Sequence, residues 1–82
     1  MSYEKVLQAH KKIVGTKQSV KALINNEVKE IIIANDADDR ITQKVIQTAE
    51  ELKIPLTKVS SMKELGKACE IDVGAAAVAI IQ

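Results

Sequence analysis

The stretch Val28-Lys29-Glu30-Ile31-Ile32-Ile33-Ala34 constrains the fold more than any other. Three consecutive β-branched residues suit a strand, and successive side chains on a strand point to opposite faces of the sheet. Both faces are then apolar at this strand, so both must be covered. A second run, AAAVAII at residues 75–81, is apolar throughout. Its alanines favour helix, but it is short and closes on Val-Ala-Ile-Ile. We read it as a buried central strand whose small side chains let helices approach closely.

The segments between are helical in pattern. Residues 3–13 place Val6, Leu7, Ala9 and Ile13 on one stripe. Gly15 breaks that helix. Thr16 is the expected N-cap of a second helix, its hydroxyl accepting from a free backbone N–H. That helix is expected to bury Val20, Leu23 and Ile24 and to end at Asn25-Asn26, since Asn tolerates the left-handed conformation. The turn NDADD (35–39) leads into a third helix over about 39–53, with Ile41, Val45, Ala49 and Leu52 inward and Asp38 or Asp39 as cap. Pro55 stops it, and residues 56–59 form another strand. Ser61-x-x-Glu64 is a capping box opening a short helix that buries Met62, Leu65 and Ala68. A further very short strand is expected near 14–17. The alternation predicts an α/β fold, a sheet with helices on both faces, as one domain over residues 1–82.

Composition narrows the function classes. The chain has 82 residues, of which 46% are hydrophobic and 28% charged, the balance of a soluble globular protein. No apolar run approaches the roughly 20 residues of a membrane span. The opening MSYEKVLQAHKK is polar and predicts no signal peptide. One Cys forbids an intrachain disulfide and fits a reducing cytoplasm. One Cys with one His also argues against a structural zinc site. Formal net charge is +1, but residues 1–25 hold five lysines against Glu4 alone. The middle of the chain is acidic, with Asp36, Asp38, Asp39, Glu50 and Glu51 against Arg40, Lys44 and Lys53. One face therefore suits an anion. A solvated helix surface is the plainer account of such a run.

No catalytic set is visible. His10 is read as a surface residue and Cys69, on the short helix, as a small core filler. Neither has a partner in the sequence, so no enzyme activity, cofactor or metal is expected. The carboxylates of NDADD suit a helix N-terminus better than a hard cation. Gly15-Thr16-Lys17 lacks the spaced glycines of a phosphate-binding loop. Tyr3 is the only aromatic, which argues against stacking single-stranded RNA on a sheet.

Two segments carry a binding reading. A helix start offers free N–H donors and about half a positive charge. Lys17 and Gln18 fall in that first turn, and Lys21 lies one turn on. Lys donates to guanine O6 and N7, while Gln both donates and accepts. Regular A-form RNA hides its major groove from such side chains, so the target must be bent or bulged. The second segment is the loop Ile71-Asp72-Val73-Gly74, whose branched apolar residues either pack inward or form a platform for a ligand.

Together these segments sit in a longer pattern. Gly15-Thr16-x-x-x-x-Lys21-Ala22 is followed by Ile32-Ile33-Ala34-x-Asp36-x-Asp38 and Ile54-Pro55. Then come Ser61-x-Lys63-Glu64-Leu65-Gly66-Lys67-Ala68 and Val73-x-Ala75-Ala76-Ala77-Val78-Ala79-Ile80. In this order they resemble the L-seven-Ae ribosomal-protein family, most closely its short bacterial branch. The resemblance implies a three-layer α/β/α sandwich with a small mixed central sheet. It also implies a non-catalytic, cytoplasmic, monomeric protein that binds kink-turn RNA, a bulged helix whose bend exposes tandem sheared G·A pairs. Such an RNA would be ribosomal RNA or a riboswitch, with the ribosome as a possible wider partner.

Carried onto this chain, Gly15, Thr16, Lys17, Gln18 and Lys21 would meet the opened groove. Ile71, Asp72, Val73 and Gly74 would cover the bulged nucleotides. Lys17 stands where archaeal members have Asn, and Gln18 where they have Glu. Asn25-Asn26 replaces a common basic-Gly turn, and NDADD lacks the Pro that often follows its last Asp. These departures motivate a second reading: a ribosome-associated or protein-interaction domain of the same fold without kink-turn preference.

Overall fold

A computed structural model describes residues 6–8 and 11–82. Val6, Leu7 and Gln8 are helical, with Val6 fully buried. The elements that follow are β1 (Lys12–Val14), α1 (Thr16–Ile24), β2 (Val28–Ala34), α2 (Asp39–Glu51), β3 (Leu56–Val59), α3 (Met62–Ala68) and β4 (Ala77–Ile81). The sheet order is β1-β4-β2-β3. β4 runs antiparallel to both β1 and β2, while β3 is parallel to β2. The sheet is therefore mixed, as expected.

The two-residue period of the strands builds the two cores. Ile31 and Ile33 face one side with Ala77 and Ala79, where Ala22, Leu23, Val45 and Ala49 of α1 and α2 cover them. Ile32 and Ala34 face the other with Val78 and Ile80, under Val6, Leu65 and Ala68. Small residues at Ala77 and Ala79 leave room for the α1–α2 layer, as the run of alanines suggested. The result is the α/β/α sandwich.

Several expectations change. The helix read over 3–13 gives way to β1, because Lys12, Ile13 and Val14 pair with Ile80, Ala79 and Val78. Ile13 joins one core and Val14 the other, a strand's alternation that a helical stripe had masked. The short strand expected near 14–17 is this element, placed earlier. Tyr3, Ala9 and His10 lie outside the described residues. Ile24, Ile41 and Leu52 are exposed, not buried. Ser19, Ala22 and Thr42 take the inward positions instead. The last strand begins at Ala77, and Cys69 caps α3 from its C-terminal end while still packing in the core.

Helix ends follow local chemistry. Asp38 caps α2, its side chain accepting from the Arg40 N–H at 2.9 Å. Ser61 caps α3, accepting from the Glu64 N–H at 3.0 Å. Asn26, Lys53 and Glu70, just past α1, α2 and α3, adopt φ of 60°, 58° and 62°. That left-handed residue releases the chain from each helix.

Candidate functional site

Both candidate segments lie at one end of the sheet, where β1, β2 and β3 finish and β4 begins. Backbone hydrogen bonds lace this end together. The Gly15 N–H donates to the Ala77 carbonyl at 2.9 Å, and the Ala34 N–H to that of Ala76 at 3.0 Å. The Asn35 N–H donates to the Val59 carbonyl at 2.7 Å. Asp36 Oδ1 accepts from the Met62 N–H at 2.8 Å, tying the end of β2 to the start of α3. Asp36 and Asp38 thus have structural partners. Among the described residues no group of three or more His, Cys, Asp or Glu is placed to hold a metal ion.

Gly15, not Thr16, is the N-cap of α1, and among the described residues no side chain caps this helix. Its φ of 107° and ψ of 150° belong to a region open essentially to glycine alone. That conformation turns the chain from β1 into α1 within one residue. Ser19 N–H donates to the Gly15 carbonyl at 3.0 Å, beginning the helical ladder. The N–H groups of Thr16, Lys17 and Gln18 take no acceptor among the described residues. The first turn of α1 holds no acidic residue, whereas α2 and α3 carry Asp39 and Glu64 there. Three N–H donors, the positive end of the helix and exposed Lys17, Gln18 and Lys21 therefore point to an anionic, hydrogen-bonding ligand.

The loop 71–74 is held against α3. The Ile71 N–H donates to the Gly66 carbonyl at 3.1 Å, and the Ala75 N–H to that of Met62 at 3.0 Å. Ile71 is half-buried against the core, so it belongs partly to packing. Val73 is 69% exposed, and Asp72 and Gly74 are exposed beside it. An isolated exposed Val is ordinary, but this one projects from a pinned loop. The two segments make no backbone hydrogen bond to each other among the described residues. They are joined through the sheet end, by Gly15 on Ala77.

Cys69 is buried, and burial pushes its thiol up despite an opposing pull from Lys12. That is the reverse of an activated nucleophile. No helix is long and apolar enough to cross a membrane among the described residues.

A groove between α1 and α2 was not foreseen. Thr16, Lys17, Val20, Lys21, Ile24, Ile41, Lys44 and Val45 line a volume of about 360 Å³. Its apolar floor includes Ile24 of α1 and Ile41 of α2, both exposed where the sequence predicts them inward.

Residues 2–82 match the profile of the ribosomal protein L7Ae/L30e/S12e/Gadd45 family. An RNA-binding protein of Geobacillus sp. (strain WCH70) is 62% identical, the match covering 100% of both chains. RNA-binding protein YbxF of Geobacillus stearothermophilus is 60% identical over the same full lengths. Among solved structures, the Giardia lamblia 15.5kD RNA binding protein superposes with a TM-score of 0.84 at 26% identity. That match covers 98% of this chain and 67% of the Giardia chain.

Proposed function

The chain belongs to the ribosomal protein L7Ae/L30e/S12e/Gadd45 family, and on that premise we propose that it is a non-catalytic RNA-binding protein that recognises kink-turn RNA. The observation that carries the reading is the start of α1, where no described residue caps the helix or accepts from its first three N–H groups, beside exposed Lys17, Gln18 and Lys21. Gly15 and Thr16 bring the backbone close to the base pairs. Lys17 and Gln18 address the edges of the G·A pairs, and Lys21 a phosphate or base one turn on. From the other helical layer, the loop 71–74 covers the bulged nucleotides, with Val73 as the apolar contact and Ile71 supporting it from within. Asp72 and Gly74 complete that wall. The protein works as one domain and one copy, in the cytoplasm, on ribosomal RNA or a riboswitch.

Its action is a population shift. An extended and a kinked RNA exchange, and a protein that binds the kinked form better raises its share by that difference in affinity. Fluorescence transfer between dyes on the two arms of a kink-turn duplex reads this. Added protein should raise transfer on the intact RNA. No change in transfer would contradict the reading.

A further inference from the structure

We infer that the RNA strand bound at the start of α1 continues along the groove between α1 and α2, where Lys44 takes a phosphate and Ile41 an apolar face of a nucleotide. The inference rests on the RNA reading above and extends it to a second helix. Thr16, Lys17 and Lys21 belong to both the helix start and the groove, so the two surfaces are continuous. Lys44 stands on the opposite wall, and no Asp or Glu is among the lining residues. The charges of Lys17, Lys21 and Lys44 meet no acidic side chain among the described residues. Three ammonium groups around one trough, none paired with a described acidic residue, match a polyanion.

The floor fits as well. Ile24 is 68% exposed and Ile41 52%, beside half-buried Val20. Neither isoleucine has a core to join from its outward position. A sugar or base edge laid over them removes this apolar surface from water while its phosphates reach the rim. A protein segment would need acidic residues spaced to meet all three lysines. A nucleotide strand carries such charge on every unit.

The experiment measures affinity for a kink-turn RNA across a salt series with the full chain. Wild type and Lys17→Gln report on the RNA reading itself. Lys44→Gln and Ile41→Ser report on the groove, since neither residue belongs to the helix start. For Lys44→Gln the expected result is several-fold weaker binding and a salt slope smaller by about 1, as for one lost phosphate contact. For Ile41→Ser it is weaker binding with the slope unchanged. Both side chains are exposed, so melting temperatures should match wild type. If wild type binds and Lys17→Gln weakens it, but Lys44→Gln leaves affinity and slope intact, the inference is overturned while the RNA reading stands. The groove would then be free for an acidic protein segment. If wild type fails to bind the RNA, both fall.

Discussion

The carbonyl group of Val73 occupies the space that a side chain on Gly66 would need. A Cβ at Gly66 would overlap the Val73 oxygen and stand 3.0 Å from its carbonyl carbon. The loop that presents Val73 can therefore lie on α3 only because that helix has a glycine in its middle. Glycine inside a helix costs about 1 kcal/mol relative to alanine. Here the clash is with backbone and cannot be relieved by a rotamer change, so it outweighs that gain. Gly66→Ala should lower stability by about 1–3 kcal/mol, the range for overpacking. Thermal unfolding checks this, and an unchanged or raised midpoint would show that the loop is free to move.

Ser19 gives the opposite sign. It is fully buried in α1, and its hydroxyl has no hydrogen-bond partner among the described residues. A buried unsatisfied polar group costs about 1–3 kcal/mol, and alanine is the better helix former. Ser19→Ala should stabilise the fold by about 1 kcal/mol and leave RNA affinity unchanged. Denaturant unfolding measures it, and a clear loss of stability would mean that the hydroxyl has a partner in solution.

Asp38 sets a pH dependence. The Arg40 side chain and backbone N–H both bond its carboxylate, at 3.0 and 2.9 Å, and hold its pKa below the usual value. A carboxylate whose folded-state pKa is depressed contributes stability above its unfolded pKa. It loses that contribution as pH falls through the folded value. Asp38→Ala should therefore melt below wild type at neutral pH, with the gap closing in strong acid. Asp38→Asn keeps a capping acceptor and should lose less. Melting curves across pH decide, and a gap that is constant with pH would remove the charge from the account.

Where local chemistry decides, the sequence was a good guide except at α1, which Gly15 and not Thr16 caps. Val28–Ala34 and Leu56–Val59 are strands at the expected residues, and Asp38 and Ser61 cap the helices they precede. Where partners distant in sequence decide, it was not. Lys12–Val14 become a strand because β4 offers them an edge some 65 residues later in the chain, which no short window can show. Ile24, Ile41 and Leu52 fit an apolar stripe, but each helix lies on the sheet along a narrower line of Ser19, Ala22, Leu23 and Thr42, Val45, Ala49. The two candidate segments were visible as a helix start and an apolar loop. That Gly15 bonds Ala77, and so places both at one end of the sheet, emerges only from the fold. The same holds for the groove, which needs two helices side by side.

The proposed reading gives the base-edge contacts to Lys17 and Gln18, and both are exposed. Lys17→Ala and Gln18→Ala should each cost about 1–3 kcal/mol of binding, the scale of a base-edge contact. Their melting temperatures should stay at the wild-type value. Wild-type affinity in both variants would reduce the start of α1 to a structural helix end.

The central claim is discrimination between two RNAs of the same length and charge. The direct measurement is the equilibrium dissociation constant, at one fixed salt concentration, for a kink-turn duplex and for its twin with the tandem G·A pairs replaced by Watson–Crick pairs. The account predicts much tighter binding to the kink-turn, with the preference shrinking in Lys17→Ala and Gln18→Ala. Equal constants for the two RNAs would contradict it.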